Sequence, residues 1–222
     1  MVAGIPRLFC FNMTNTITGI TEQKRSPSRV NINLGGEFSF SLAKIVAAWL
    51  SVGQTLSDEK IVELKRQDEF ETALQKAIAF IDYRPRTQAE VERKLRKAEI
   101  PKATIAAIIE RLSAFNMLND RDFAQRWVEN RAAFKPRGAF ALRAELKQKG
   151  IPEEVIDEFL NDLDENNLAR DAAGKKAAQL RDLPWPEFRT KLSAHLSRRG
   201  FQYELINNVC REQWESLKQT NP

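Results

Sequence analysis

Between residues 16 and 42 the chain alternates apolar and polar side chains in three short runs, TITGIT (16–21), RVNINL (29–34) and EFSFSL (37–42). Because successive side chains of a strand point to opposite faces, and because these runs are rich in β-branched and aromatic residues, the pattern predicts three β-strands. Gly35-Gly36 tolerates the positive φ of a two-residue hairpin, and KRSPS (24–28) predicts a looser turn. The sequence therefore predicts a small three-stranded antiparallel sheet, which needs helices to cover it.

From residue 43 onward the apolar positions recur at helical spacing. AKIVAAWL (43–50) predicts a helix that stops near Gly53, and Ser57 is the predicted N-cap of a second short helix in DEKIVELKRQ. Three longer helices are predicted at about 69–82, 120–134 and 168–183.

The helical part of the chain repeats its apolar positions while the charged positions between them change. Shifts of 51 and then 50 residues bring three sets of apolar side chains into register. Positions that stay apolar while their neighbours vary are those that face a core, so the pattern predicts a threefold repeat of helices. The registered positions are Val91, Leu142 and Leu192; Leu95, Leu146 and Leu196; Ile100, Ile151 and Phe201; Ile105, Ile156 and Ile206; Ile109, Leu160 and Cys210; and Leu112 and Leu163.

The ends of the repeated helices carry local signals as well. Thr87 followed by Glu90 is a capping box that starts a helix, because each side chain can bond the backbone N–H near the other residue. Gly150 and Gly200 suit the left-handed position that follows a helix C-terminus. The helix boundaries therefore repeat along with the apolar positions.

Each unit is predicted to be a three-helix bundle of about fifty residues, which is small for independent stability, so neighbouring units should stack. The predicted fold class is mainly α: three tandem three-helix repeats in an elongated array, preceded by the small antiparallel sheet with its covering helices. The predicted domains are a flexible tail (1–13), a β-hairpin extension with short helices (14–68), and three repeats (69–119, 120–167 and 168–222).

The formal charge of +5 is concentrated in the middle of the chain. Residues 83–149 contain 16 lysines and arginines against 8 acidic residues, whereas residues 150–182 contain 4 against 9. A positive segment of this kind attracts a polyanion. The competing interpretation is that many of these charges are ordinary solvated helix faces.

The basic side chains of this segment are the candidates for contacts with DNA or with a filament, because lysine and arginine bind phosphates without reading sequence. Aromatic side chains that could stack on bases lie nearby at Tyr83, Trp127, Phe134 and Phe140. Trp127 shares a helix face with Phe123, which favours a place in the core. The candidates are Arg84, Arg86, Arg93, Lys94, Arg96, Lys97, Arg126, Arg131, Lys135, Arg137, Arg143, Lys147 and Lys149.

No pattern of catalytic residues is present in the sequence. It contains no glycine-rich phosphate loop, no HExxH, no CxxC and no nucleophile elbow, and its acidic cluster at 153–158 lacks the spacing of a calcium loop. Cys10 and Cys210 are predicted free thiols, and the single histidine, His195, is a predicted structural residue. We therefore expect a protein that acts by binding, with no metal, no cofactor and no catalytic residues.

Several motifs of this sequence resemble those of the RecX regulatory proteins. They are LND-x-x-FA (118–124), EL-x-x-KGI (145–151) and RGF (199–201), with Arg86, Glu90 and Leu95 preceding them. The likeness covers about residues 70 to 217, and the strand-rich front is similar to the extension of longer family members. The first unit departs from the family pattern at Ala98-Glu99-Ile100, so a looser helix end is expected there.

The resemblance implies a non-enzymatic regulator that binds the filament of RecA on single-stranded DNA, lies in its groove, and restrains ATP hydrolysis, strand exchange and co-protease cleavage. It also implies contact with single-stranded and possible double-stranded DNA. Two alternatives remain open: a stand-alone DNA-binding accessory protein, and a helical scaffold for an unrelated partner. No apolar run reaches the roughly 18 residues of a membrane span, so we expect no membrane contact and a cytoplasmic location. We also expect a monomer.

Overall fold

A computed structural model of the chain describes residues 15–219. The backbone divides into two compact units, with the boundary between Ala79 and Phe80. The strands are β1 (Ile17–Gln23), β2 (Ser26–Leu34) and β3 (Glu37–Ala43). The helices of the described residues are α1 (Lys44–Ala47), α2 (Asp58–Asp82), α3 (Gln88–Arg96), α4 (Lys102–Ala114), α5 (Asp120–Phe134), α6 (Ala139–Lys149), α7 (Glu153–Leu160), α8 (Glu165–Gln179), α9 (Trp185–Ser197) and α10 (Tyr203–Gln219). The predicted tail (1–13), with Cys10, lies outside the described residues.

The three strands form an antiparallel sheet in the order β1-β2-β3, as predicted. The predicted two-residue hairpin is confirmed, since Gly35 and Gly36 adopt φ of 59° and 95°. The looser turn is shorter than predicted: only residues 24 and 25 turn, and Ser26 already pairs with Gln23. Pro27 lies within β2 at an irregularity in the pairing with β1, where a residue without a backbone N–H is tolerated.

Ile17, Ile32 and Leu42 are fully buried and form the core of the N-terminal unit, together with Ala47 of α1 and Leu64 of α2. The helices therefore cover one face of the sheet, as the small size of the sheet requires.

The helices of the N-terminal unit differ from the prediction in two places. The helix predicted at 43–50 is a single turn, and Trp49 just beyond it is exposed. The two helices predicted between Ser57 and residue 82 are one continuous helix, α2, because no glycine or proline interrupts this stretch. Its predicted N-cap is confirmed, since the N–H of Lys60 donates to Ser57 Oγ at 3.1 Å.

The three repeats are confirmed as tandem helical domains. Repeat 1 comprises the end of α2 with α3 and α4, repeat 2 comprises α5 to α7, and repeat 3 comprises α8 to α10. The registered apolar side chains are buried in all three repeats, except that Ile100, Ile109 and Leu163 are half-buried. The mainly α fold class with an N-terminal sheet is therefore as predicted.

Repeats 1 and 2 meet at a first joint, where the N-terminus of α3 packs against the end of α6. The Thr87 hydroxyl donates to the carbonyl oxygen of Lys149 at 2.7 Å. The N–H of Gln88 donates to a carboxylate oxygen of Asp120 at 2.9 Å, so that a side chain of repeat 2 satisfies an orphan N–H of α3.

Repeats 2 and 3 meet at a second joint that reproduces the first. The N–H of Gly138 donates to the carbonyl oxygen of Arg199 at 3.0 Å. The N–H of Ala139 donates to the carboxylate of Glu165. These donors follow Thr87 and Gln88 by 51 residues, so the contacts between repeats recur with the repeats themselves.

The glycines that end α6 and α9 are required at these joints for two reasons. Gly150 and Gly200 adopt φ of 81° and 82°, which only glycine adopts without strain. A Cβ at Gly150 would also lie 2.3 Å from the Cβ of Ala89, and one at Gly200 would lie 2.4 Å from the Cβ of Ala141. Each glycine therefore lets the preceding repeat approach the helix end.

The end of α3 has the same geometry although no glycine is present. Glu99 adopts a left-handed φ of 58°, and the N–H of Ile100 donates to the carbonyl oxygen of Leu95 at 3.3 Å. The corresponding bond in repeat 2 joins Ile151 to Leu146 at 3.1 Å. The expectation of a looser helix end was wrong, because the hydrogen bonds that close the turn need the backbone conformation and not glycine itself. The side chain of Glu99 is exposed.

Candidate functional site

Several of the thirteen basic candidates are engaged within the chain, beginning with those around Glu90. This half-buried carboxylate bonds Arg84 at 3.0 Å and Lys149 at 3.2 Å across the first joint. Burial raises the pKa of Glu90, but the hydrogen bonds from Arg84 and Lys149 outweigh it and hold the pKa below its ordinary value. Arg84 and Lys149 therefore stabilise the joint.

A second carboxylate, Glu145, holds two further candidates. It lies 2.8 Å from Arg131 and 3.0 Å from Arg137. Trp127 Nε1 donates to the same carboxylate at 2.7 Å, and the guanidinium of Arg131 lies 4.5 Å from the centre of the Trp127 ring. The ring also stacks on Phe123 at 5.7 Å, so the interpretation of Trp127 as a packing residue is favoured.

The acidic helix α7 neutralises two more candidates. Arg143 pairs with Glu153 and with Asp157, and Lys147 lies 2.8 Å from Glu153. These hydrogen bonds raise the pKa of Arg143.

Among residues 15–219, no three or more acidic, cysteine or histidine side chains converge as metal ligands.

Four candidates lie together on the exposed side of α3: Arg93, Lys94, Arg96 and Lys97. Arg96 pairs with Glu92 one turn away, which is an exposed contact of small energetic value. In the described part of the chain Arg93 and Lys97 have no ion-pair partner. This face of α3 is therefore one part of the predicted basic segment that remains available for a ligand.

Of the three remaining basic candidates, two are engaged within the chain and one forms no ion pair with the described residues. Arg86 lies with its guanidinium 3.8 Å from the centre of the Phe80 ring, and Arg126 lies 2.9 Å from the carboxylate of Asp122. Lys135 is exposed and has no ion-pair partner among the described residues. Of the aromatic candidates, Tyr83, Phe134 and Phe140 are 84%, 77% and 76% exposed.

The sequence motif around residue 120 has a structural role at the first joint. Leu118 and Phe123 are buried, and Asn119 caps α5 by accepting from the N–H of Asp122 at 3.0 Å. Burial raises the pKa of Asp120, although the bond from Gln88 acts in the opposite direction. The motif therefore explains how repeats 1 and 2 are joined.

Each joint is bordered by a groove, formed by the segment before one repeat's middle helix and by the first helix of the next repeat. The first groove encloses about 340 Å³ between residues 84–86 and α5. The second encloses about 330 Å³ between residues 132–136 and α8. The two grooves are equivalent, since Asn130 and Lys175 line them from matching positions of α5 and α8, at the 45-residue spacing that also separates the capping residues Asn119 and Asp164.

The second groove contains basic residues that the sequence analysis did not single out. Lys175, Lys176 and Arg199 line it together with the predicted Lys135 and with Phe134. Lys175, Lys176 and Arg199 belong to segments whose net charge is negative or nearly zero, so the charge distribution along the chain did not point to them. Lys175 corresponds to the uncharged Asn130 of repeat 2, so no charge in the preceding repeat pointed to it.

His195 lies in the wall of the second groove, where its Nε2 is 3.0 Å from Arg199 Nε and 3.2 Å from the carbonyl oxygen of Ala172. One nitrogen cannot accept from the guanidinium and donate to the carbonyl, so we assign it as the acceptor and place the proton on Nδ1. Burial, and then the charge of Arg199, lowers the pKa of His195.

Cys210, the free cysteine of the described residues, is fully buried in the core of repeat 3. Burial raises the pKa of its thiol. A buried thiol of this kind behaves as a small apolar side chain.

No helix among the described residues is long and apolar enough to cross a membrane.

Four family models match the chain in order along its length. The RecX N-terminal domain matches residues 15–57, and the first, second and third RecX three-helix domains match residues 73–112, 119–160 and 164–210.

Similar proteins carry the same family name. The regulatory protein RecX of Bacillus subtilis (strain 168) is 32% identical over 196 residues, which cover 86% of this chain and 74% of that protein. The regulatory protein RecX of Chlorobaculum tepidum is 39% identical over 140 residues, which cover 63% of this chain and 87% of that protein.

Solved structures have a similar fold. A crystal structure of a regulatory protein RecX has a TM-score of 0.71 at 25% identity, covering 87% of this chain and 98% of that one. The crystal structure of RecX from Lactobacillus salivarius has a TM-score of 0.60 at 24% identity, covering 66% of this chain and 97% of that one.

Proposed function

This chain belongs to the RecX family of regulatory proteins, and from that premise we propose that it binds the RecA filament on single-stranded DNA. Bound in the groove of the filament, it restrains ATP hydrolysis, strand exchange and co-protease cleavage. It acts by binding and not by catalysis, as a cytoplasmic monomer in DNA repair by recombination and in the SOS response. The observation that carries the proposal is the ordered match of all four RecX domains.

Repetition of one helical domain suits a filament, which presents the same surface at regular intervals. Several weak contacts on one chain act together because the first contact raises the effective concentration of the others. Arg93, Lys94 and Lys97, which form no ion pair among residues 15–219, supply charge for an anionic surface of the filament.

Exposed apolar side chains supply a second type of contact. Ile45 and Val52 are each 63% exposed and Trp49 is 90% exposed, all in the N-terminal unit. Exposed apolar side chains that cluster are typical of protein interaction surfaces, and these three, which lie within eight residues of chain, support a protein partner in addition to DNA.

The direct test is to titrate the purified chain into the single-strand-dependent ATPase assay of RecA from the same organism. We expect the rate to fall at or below one molecule of this chain per RecA protomer, while RecA remains on the DNA. If ATP hydrolysis and strand exchange are unchanged at a saturating concentration, the proposal is wrong.

A charge variant tests the α3 face within the same assay. Replacing Arg93, Lys94 and Lys97 with glutamine should raise the concentration needed for half inhibition by about tenfold, as expected when several phosphate or carboxylate contacts are lost. The matched control replaces the exposed Lys102, Lys191 and Arg211 with glutamine, which removes the same charge elsewhere. Equal effects of both variants would show that net charge matters and the α3 face does not.

A further inference from the structure

The two equivalent grooves differ in how their charges are satisfied. In the first groove, Arg84 pairs with Glu90, Arg126 pairs with Asp122, and Arg86 lies over the Phe80 ring. These cations therefore have partners within the chain.

In the second groove the cations outnumber the carboxylates. Lys135, Lys175, Lys176 and Arg199 line it, and Asp171 is the single acidic residue among its lining residues. Within residues 15–219, none of these five side chains forms an ion pair. Four positive groups along one narrow groove repel one another unless a counterion or an anionic ligand lies between them.

The positive charge of the groove acts on His195, which lies in its wall. Burial lowers the pKa of His195, and the charges of Arg199, Arg198 and Lys176 lower it further. Arg199 Nε donates to His195 Nε2 at 3.0 Å, which requires a lone pair on that nitrogen, and Arg199 also donates to the carbonyl oxygen of Pro136 at 3.3 Å. Arg199 is thus fixed in the groove wall, whereas Lys135 and Lys175 are exposed.

An aromatic ring lies beside these cations. Phe134 is the last residue of α5, lines the groove and is 77% exposed. A ring in water next to unpaired lysines suits single-stranded nucleic acid, whose bases stack on aromatic faces while its phosphates bind cations. An acidic peptide would satisfy the lysines but would gain little from the ring.

We propose that the groove between repeats 2 and 3 is a binding site for single-stranded nucleic acid, with backbone phosphates on Lys135, Lys175 and Lys176 and a base stacked on Phe134. The site deepens the proposed function and rests on it for its setting, because the filament contains single-stranded DNA. Arg199 positions the groove wall. The first groove, whose cations are already paired, binds such a strand more weakly.

The test measures binding of a fluorescent thymidine 30-mer to the full chain without recombinase, at a series of salt concentrations. Replacing Lys135, Lys175 and Lys176 with glutamine should weaken binding at low salt. It should also reduce the slope of log affinity against log salt by about 2, since each phosphate contact on a single strand contributes about 0.7. Phe134→Leu should weaken binding on the order of tenfold and leave the salt slope unchanged.

Two controls define the outcome. The variant with Lys102, Lys191 and Arg211 replaced by glutamine removes the same charge and should bind nearly as the unaltered chain. Poly-glutamate of matched charge should compete poorly with the 30-mer, and the Phe134→Leu variant should leave its binding unchanged. Circular dichroism checks that each variant is folded.

Three results would overturn the proposal: no binding of the 30-mer by the unaltered chain, equal binding by the groove and control variants, or equal competition by poly-glutamate without an effect of Phe134→Leu. The last result would identify a site for acidic peptides. None of these results would affect the ATPase test, so the regulatory function and the proposed binding site in the groove are tested independently.

Discussion

The hydroxyl of Thr87 donates a hydrogen bond of 2.7 Å to the carbonyl oxygen of Lys149, 62 residues later in the chain. The same hydroxyl accepts from the N–H of Glu90 at 3.2 Å, so one buried atom both caps α3 and joins two repeats. The second joint has no side chain at this point, because Gly138 uses its backbone N–H to reach Arg199. The first joint therefore depends on a side chain where the second depends on the backbone.

Thr87→Val should lower the free energy of unfolding by about 1–2 kcal/mol. Valine keeps the shape of the side chain, but the N–H of Glu90 and the carbonyl oxygen of Lys149 lose their hydrogen-bond partner. Urea unfolding followed by circular dichroism measures the difference. Thr87→Ser keeps the hydroxyl and is the matched control. A loss in the serine variant as large as in the valine variant would mean that the methyl group, not the hydrogen bonds, is responsible.

Gly150→Ala should destabilise the chain by more than the 1 kcal/mol or so that positive φ alone costs, because its Cβ would also lie 2.3 Å from the Cβ of Ala89. The control is Gly174→Ala within α8, where a Cβ would meet nothing within 4 Å. Since alanine favours a helix interior over glycine, the control should gain about 0.5–1 kcal/mol. Thermal unfolding of both variants checks the opposite signs.

Glu99→Gly should stabilise the chain by on the order of 1 kcal/mol, because glycine adopts the left-handed conformation of this position without steric strain. Glu99 is exposed and no cavity is created by removing its side chain. Glu99→Ala separates conformation from charge, since it removes the carboxylate and keeps the strain. If alanine stabilises the chain as much as glycine in urea unfolding, relief of strain is not the cause.

Asp120→Asn should raise the free energy of unfolding at pH 7 and leave it almost unchanged near pH 3. The pKa of this carboxyl is raised above its ordinary value of 3.8 by burial, so between the two values the folded state holds a proton that the unfolded state has lost. Stability from this group therefore falls as the pH rises through that window. Asparagine removes the buried charge and keeps an oxygen for the N–H of Gln88.

The matched change is Asp120→Ala, which removes the charge as well as the acceptor and should be about 1 kcal/mol less stable than the asparagine variant at both pH values. Unfolding of the three proteins across this pH range distinguishes the two effects. A difference between the asparagine variant and the unaltered chain that does not vary with pH would show that the charge of Asp120 has no part in it.

The sequence by itself determined the repeats and most of their boundaries. The registered positions such as Leu95 and Leu146 had to be apolar because they fill a core, and this requirement is local enough to appear as a period in the chain. The capping box of Thr87 and Glu90 and the hairpin at Gly35-Gly36 were likewise predictable, because turns and caps depend on a few adjacent residues.

The division of α2 into two predicted helices shows where local patterns fail. The sequence predicted DEKIVELKRQ and residues 69–82 as separate helices, whereas the chain contains no glycine or proline that would end a helix between them. Glu99 shows the converse error, since a left-handed helix end formed without glycine. In both cases the hydrogen bonds of the backbone decided the structure and the side chains adapted to it.

Only the tertiary structure decided which of the basic residues remain free. Arg131, Arg137 and Lys149 were indistinguishable from Arg93 and Lys97 in the sequence, yet the first three face half-buried carboxylates and the last two face water. The physical reason is that a charge pair depends on distance in space, and Lys149 meets Glu90 across 59 residues of chain. The composition of the chain accounts for the positive segment. The packing of each repeat on the next determines which few of its cations can bind a partner.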